Sequence, residues 1–421
     1  MSNSIPFGWE IKTLDEVATV FAGGTPSRSN PAYYDGSVPW VKSGEVNKRL
    51  IYRTEETISE LAVKESSAKW AKRGSVLVAM YGATAGKVAK LMIDATLNQA
   101  VSAVNRKSEA TDNDFLFYAI ENNSRELLNT VQGSGQPNLS GQLIKSLNLP
   151  VPPFPEQQKI ATILSSVDNV IEKTRAQIDK LKDLKTGMMQ ELLTKGVGHT
   201  EFKDSPVGRI PAAWEIARLG DIVLPKGIQT GPFGSQLHSH EYIEWGVPVI
   251  MPRDMKGNKI DPASVAYIPL EKAAELDKHR VEIGDLVFAR RGDIGRFALV
   301  DKSNEGWVCG TGCLKVRLQP SVSPAFIASY LTLTPVIEWL NTNAVGQTML
   351  NLNTSILSEL PIILPPAHEQ AVIGEAILSL DNKVALSSDK LDSLLRVKKA
   401  LMQDLLTGKV RVEQKVSDKV G

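Results

Sequence analysis

The chain repeats itself, and that repeat limits its possible folds more than any other feature. Ile5-Pro6-Phe7-Gly8-Trp9-Glu10-Ile11 returns as Ile210-Pro211-Ala212-Ala213-Trp214-Glu215-Ile216, an offset of 205 between Trp9 and Trp214. Val38-Pro39 returns as Val247-Pro248, and Gly74-Ser75-Val76-Leu77-Val78-Ala79 returns as Gly284-Asp285-Leu286-Val287-Phe288-Ala289, at offsets of 209 and 210. Small loop insertions account for the drift. The match is strongest in two long segments, 156–193 and 369–406, where the offset holds at 213. At 421 residues the chain exceeds what one core organises, and the pattern describes one unit used twice.

In the first long segment the apolar residues Ile160, Leu164, Val167, Ile171, Ile178, Leu181, Met188 and Leu192 follow steps of four and three. This is a heptad stripe. The second segment carries Ile373, Ile377, Leu380, Val384, Leu391, Leu394, Leu401 and Leu405 in the same places, and the polar interruptions agree, Thr174 with Ser387 and Lys185 with Lys398. A surface helix with one buried face is the commoner use of such a stripe. A helix of about 38 residues would be about 57 Å long, which exceeds the width of a 150-residue domain. Each helix must therefore project, and only the other offers a stripe of equal length. Antiparallel pairing is expected, because it sets two similar domains at opposite ends under a pseudo-twofold axis.

Proline-rich turns precede both helices, Pro150-Val151-Pro152-Pro153-Phe154-Pro155 and Pro361 to Pro366, and act as stiff joints. Gln190-Glu191-Leu192-Leu193-Thr194 and Gln403-Asp404-Leu405-Leu406-Thr407 end them, with Gly196 and Gly408 placed to terminate the helix. Elsewhere strand-like runs at 75–80, 285–289 and 314–318 alternate with Gly- and Pro-rich stretches and short helices at 114–128 and 324–340. The fold class expected is α+β: two similar domains joined by two long helices in an antiparallel coiled coil. The expected boundaries are 1–150 for the first domain, 151–197 for the first helix, 198–360 for the second domain with a linker over 197–209, 361–410 for the second helix and 411–421 for a tail.

Composition is that of an ordinary globular protein, 42% hydrophobic and 23% charged. No apolar run approaches the roughly 18 residues that span a bilayer, and Met1 to Trp9 lacks the pattern of a leader, so a cytoplasmic protein without a membrane partner is expected. Cys309 and Cys313 are too few for a disulfide framework. His199, His238, His240, His279 and His368 are too scattered for a zinc site, and no metal is expected. The net charge of +1 does not by itself argue for a polyanionic ligand, although a basic face can be offset by acidic surfaces elsewhere.

The Ile-Pro-x-x-Trp-Glu openings, the hinge Leu149-Pro150-Val151-Pro152-Pro153-Phe154-Pro155-Glu156-Gln157, the heptad helices and the ending Leu405-Leu406-Thr407-Gly408-Lys409 together resemble the specificity subunit of type I restriction-modification enzymes. The resemblance spans essentially the whole chain. It implies two target recognition domains, each reading half of a split sequence in double-stranded DNA. It also implies spacer helices that set the gap and dock two methyltransferase subunits, with restriction subunits added outside. The second hinge departs from the first in having Ala367-His368 where the first has Phe154-Pro155.

Catalytic motifs are near-misses. Pro152-Pro153-Phe154 is preceded by Val151, which lacks the hydrogen-bond acceptor of an amino-methyltransferase box, and Phe21-Ala22-Gly23-Gly24 lacks the spacing of a methyl-donor loop. Gly82-Ala83-Thr84-Ala85-Gly86-Lys87-Val88 is one residue short of a phosphate loop and ends without a hydroxyl for magnesium. Its partner, Gly292-Asp293-Ile294-Gly295-Arg296, exchanges the lysine for arginine, a change suited to a DNA-facing loop. No cofactor and no catalysis are expected. A stand-alone DNA methyltransferase or nuclease would bind methyl donor or carry clustered acids, and a structural coiled-coil adaptor would show no salt-sensitive DNA affinity.

DNA contacts should come from polar and cationic residues that differ between the repeats, because the two domains share a scaffold and read different bases. Arginine pairs with guanine, Asn and Gln pair with adenine, and Lys holds phosphate. The candidates are Thr25, Arg28, Lys42, Tyr81, Thr84, Lys87, Gln136 and Asn138 in the first domain. In the second they are Gln229, Arg253, Arg290, Arg291, Arg296 and Gln347. Arg290, Arg291 and Arg296, beside a glycine turn, form the sharpest basic cluster.

Overall fold

A computed structural model describes residues 5–129, 138–205, 208–346 and 350–412, with the backbone alone at 125 and 126. The chain gathers into two compact units, Met1–Arg175 with Asp389–Gly421, and Ala176–Ser388. The boundaries cut two long helices, Phe154–Leu192 and Ala367–Leu406, so each unit holds part of both.

In the first unit a five-stranded sheet runs in the order Ala18–Ala22, Val101–Arg106, Val76–Ala79, Val88–Leu91, Leu50–Ile51. Its central strand Val76-Leu77-Val78-Ala79 is buried on both faces. Val76 and Val78 enter a core with Phe115, Leu116 and Ile120 of the helix Asn113–Asn129, while Leu77 and Ala79 face Val41 and Leu97 of a second, four-stranded sheet. The second unit repeats the plan with the strands Val223–Thr230, Cys313–Leu318, Leu286–Ala289 and Phe297–Leu299. Leu286 and Phe288 turn to one core, Val287 and Ala289 to the other. Period-2 alternation between two apolar cores makes these runs continuously hydrophobic.

Two local expectations change. The segment 324–340 forms two helices, Pro324–Tyr330 and Thr334–Asn343, because Pro335 lacks an amide donor and favours the start of a helix over its interior. Part of 197–209 forms a hairpin, Phe202–Ser205 against Gly208–Pro211.

Helix halves run antiparallel within each unit. In the first, Ile160 and Leu164 share a core with Leu401, Met402, Leu405 and Leu406. In the second, Met189 and Leu192 pack with Ile373 and Ile377. Along the stripe, Ile171, Ile178 and Leu380 are buried as well, and Val167, Leu181, Met188, Val384, Leu391 and Leu394 are half-buried. The lysine interruptions are paired charges: Lys398 Nζ lies 2.8 Å from Asp168, and Lys185 Nζ lies 2.5 Å from Asp381.

The repeated motifs meet at the helix ends. The opening strand Glu10–Thr13 pairs with the hinge strand Asn148–Val151, and Glu215–Arg218 pairs with Pro361–Leu364. The hinge glutamines Gln157 and Gln370 each accept from the backbone N–H that leads into a core helix, Asp112 at 2.9 Å and Ser323 at 3.0 Å. The hinge glutamates clasp the end of the opposite helix. Glu156 accepts from Trp9 Nε1 at 3.1 Å, from both arms of Arg411 at 2.9 Å and from the Val412 amide at 3.2 Å. Glu369 accepts from Trp214 Nε1 at 3.0 Å, the Val197 amide at 2.8 Å and His199 Nε2 at 2.9 Å. Gly196 and Gly408 make room, at φ +66° and +71°, where an added Cβ would strike Glu369 or Pro6.

Burial alone would raise the Glu156 carboxyl, but Arg411, the Val412 amide and Trp9 outweigh it and hold it below the ordinary 4.5. The lowered folded value means that the clasp stabilises fully above about pH 4.5 and is lost as pH falls through the folded value. Glu156→Ala strands buried donors and should cost about 3 kcal/mol in urea unfolding at neutral pH. The difference from wild type should shrink as pH falls below about 4.5.

Candidate nucleic-acid interface

Strand direction brings the candidate residues of each unit to one end of its sheet. In the first unit the strands Ala18–Ala22, Val38–Val41 and Val76–Ala79 finish where Val101–Arg106 begins. Backbone bonds tie the loops there: Gly23 N to Val101 O at 3.1 Å, Asn98 N to Val41 O at 3.0 Å, Met80 N to Ala100 O at 2.8 Å and Leu139 N to Met80 O at 2.8 Å. Tyr81 forms a further bridge with Asn138. Thr25, Arg28, Lys42, Tyr81, Thr84, Lys87 and Asn138 therefore converge, and Gln136 lies outside the described residues.

The second unit makes the equivalent bonds, Gly231 N to Cys313 O, Gly310 N to Ile250 O, Arg290 N to Gly312 O and Leu352 N to Arg290 O, all at 2.8–2.9 Å. Arg291 bridges Asn351 as Tyr81 bridges Asn138. These bonds bring Gln229, Arg253, Arg290, Arg291 and Arg296 to that end, while Gln347 lies outside the described residues.

Side-chain partners differ sharply among the candidates. Arg28 and Lys42 share Glu56, at 2.8 and 3.0 Å, and Arg28 also stacks over Tyr34 at 4.2 Å. Lys42 and then Arg28 hold the Glu56 carboxyl below its usual range. Arg290 is half-buried, its Nε 3.1 Å from Asn351 Oδ1. Arg296 is tied to Asp293 at 2.8 Å, Arg253 donates to Ser264 O at 3.2 Å, and Gln229 donates to Lys226 O at 2.9 Å. Thr84 Oγ1 turns back to Tyr81 O at 3.4 Å. Exposed Lys87 and Arg291 have no side-chain partner among the described residues, so their charges are available to a ligand. Arg253, Lys256 and Arg296 also line a cavity of about 540 Å³.

The structure adds residues that sequence reasoning passed over. Asn351 anchors Arg290, and the helix offset of 213 carried Asn138 onto it. Glu56 gave no signal in the sequence. Gly23 and Gly24 have a packing role, since an added Cβ would stand 2.0 Å from Leu97 O or 2.1 Å from Ser67 Oγ. Among the described residues no cluster of His, Cys, Asp and Glu is arranged to hold a metal ion, and no helix is long and apolar enough to cross a membrane.

A sequence model of the type I restriction modification DNA specificity domain matches twice, over residues 6–183 and 211–396. The chain belongs to that family. It is 26% identical to the MjaVIII specificity subunit of Methanocaldococcus jannaschii, over 97% of this chain and 94% of the relative. The MjaIX specificity subunit of the same organism is also 26% identical, over 97% and 95%. The crystal structure of the S subunit from M. genitalium shares the fold, with a TM-score of 0.65, 16% identity and coverage of 96% of this chain and 97% of that one. This type I specificity subunit serves DNA target recognition, and its family is the recognition component of complexes whose catalysis lies in other subunits.

Beneath the second unit's loops, His279 is buried and its Nε2 has no hydrogen-bond partner among the described residues. Burial, then the charges of Lys278 and Lys315, push its imidazole down to about 4. The folded state keeps it neutral while the unfolded chain takes up a proton below about 6.5, so stability is present above 6.5 and falls as pH drops toward 4. Thermal melts across that window should show the loss, and His279→Leu should flatten it.

Proposed function

We propose that each unit reads one half of a split target in double-stranded DNA. The observation that carries this reading is the shared backbone scaffold at the loop end, which presents Tyr81 and Lys87 in one unit and Arg291 and Arg296 in the other. Two readers with one frame and different side chains fit two different half-sites. The readers correspond to residues 1–150 and 198–360, and the spacer helices to 151–197 and 361–410. Arg291 is the foremost base reader, Lys87 a phosphate contact, and Arg290 and Arg296 supporting contacts fixed by Asn351 and Asp293. The remaining candidates, Gln136 and Gln347 included, complete the two surfaces.

Two methyltransferase subunits dock along the helices, with restriction subunits outside them. Leu184 and Val397 support this. They occupy equivalent positions in the repeat and are exposed by 51% and 50%, so the same partner finds the same apolar contact twice. The chain acts in the cytoplasm, without a cofactor or catalytic centre of its own.

Arg291→Ala should cost about 1–3 kcal/mol in DNA binding by the assembled complex and relax one base position, whereas Lys87→Ala should weaken all sequences alike and lower the salt slope by about 1. Intact affinity and preference in both would remove these residues from the interface. The spacer is tested by inserting one heptad after Thr174 and another after Ser387, since an insertion in one helix alone cannot keep both Asp168–Lys398 and Lys185–Asp381. The added length is about 10 Å, close to three base pairs. Methylation mapping on targets that differ only in their gap should show the optimum moving by that amount. An unchanged optimum would mean that the helices do not set the distance.

A further inference from the structure

One turn is built in both units from different residues. It carries Arg49 at φ +60° in the first unit and Asn258 at φ +63° in the second. Each turn carbonyl accepts from the neighbouring strand, Lys90 N at 2.7 Å and Leu299 N at 3.1 Å. Asparagine suits left-handed backbone, whereas arginine there calls for a compensating interaction. The first unit supplies it. The Arg49 guanidinium bonds Glu121 and, at 2.6 Å, Asp168, and it lies 4.6 Å from the centre of the Phe117 ring. Tyr118 Oη donates to Asp168 at 2.7 Å, and Lys398 approaches it at 2.8 Å. Asp168 thus receives three donors.

In the second unit the repeat places Asp381 where the first has Asp168, and among the described residues Lys185 alone reaches it. Ala328, Ser329 and Thr332 stand where the first unit has Phe117, Tyr118 and Glu121. These residues, with Asn258 and Asp381, line a cavity of about 350 Å³. The carboxylate has acceptor capacity left and faces open space. The cavity includes Leu299 and Asp301, at the end of the strand Phe297–Leu299 away from the arginine loop, and meets the cavity lined by Arg253 and Arg296 at Gly257 and Asn258. Beside it, sharing Leu378 and Asn382, runs a groove that continues to Leu386, which is 72% exposed. The corresponding residues of the first helix are polar, Ser165 for Leu378 and Lys173 for Leu386.

We propose that this cavity receives an arginine side chain of the methyltransferase copy that docks against the second unit, its guanidinium completing Asp381 as Arg49 completes Asp168. The inference rests on the reading that methyltransferase subunits dock on this chain. A planar guanidinium supplies paired donors to a carboxylate, and arginine bedded among apolar side chains is the usual composition of an interface hot spot. The exposed leucines favour a protein occupant over a free small cation. The first unit provides its own arginine, so the two docking sites differ in chemistry.

The test transplants the first unit's residues: Asn258→Arg, Ser329→Tyr and Thr332→Glu in the full chain, titrated with the methyltransferase subunit of the same system and read by native mass spectrometry. Wild type should take two copies. The variant should keep one, with affinity for the other reduced roughly tenfold or more. If the triple variant does not fold, Asn258→Arg alone places a guanidinium at the cavity, leaves the Lys185–Asp381 pair in place and should give the same loss. An arginine-to-lysine scan of the methyltransferase surface should find one position with the same one-copy outcome. Two copies bound with unchanged affinity by the variants, or a scan without such a position, overturns the proposal. A wild-type chain that recruits no copy overturns the docking reading itself, and the two failures are told apart by that control.

Discussion

Two aspartate–lysine pairs set in an apolar helix seam decide how the helices of this protein can meet. Asp168 and Lys398 are each less than a fifth exposed. Charges so placed cost several kcal/mol unless they find each other. Lys398 finds Asp168 and Lys185 finds Asp381 in one antiparallel register. A slip by one heptad would leave the leucines content but part Lys398 from Asp168 and Lys185 from Asp381. The apolar stripe therefore supplies attraction, and the charged pairs supply alignment.

The glutamate clasps complete what the seam begins. A helix about 60 Å long frays at its ends unless they are held, and the hinge glutamate at the start of one helix holds the end of the other. The tryptophan of each opening motif joins the same carboxylate. Sequence elements more than a hundred residues apart thus form one joint, which explains why the openings, hinges and endings recur together. The joints are not chemically equal. Arg411 keeps its charge at every relevant pH, whereas His199 is charged only when protonated.

Much of this was legible in the sequence, for physical reasons that differ by element. The helices announced themselves because a period of 3.5 over some forty residues has few other uses, and the repeat doubled the signal. The clasps were visible as motifs, but a linear pattern does not say which groups bond, so Trp9 and Glu156 were noticed without being connected. Apolar spacing suggested one helix over 324–340, but the chain breaks before Pro335, which lacks the amide that a continuous helix needs there. At the candidate interface, arginines and glycine turns pointed to loops that the fold gathers at one end of each sheet. Which cations were free could not be read, because Glu56, Asp293 and Asn351 neutralise or anchor their neighbours only once the chain is folded.

The loops at the candidate interface are fastened by main-chain bonds, from Gly23 to Val101, Met80 to Ala100 and Leu139 to Met80, and by the matching set in the second unit. A main-chain bond is indifferent to the side chain its residue carries. Tyrosine and arginine occupy the equivalent, exposed positions 81 and 291 on one unaltered frame. Mutation can thus rewrite the surface that meets a ligand without loosening the fold beneath it. On the proposed reading of these loops, new DNA addresses arise by drift in a handful of codons while the scaffold stays as it was.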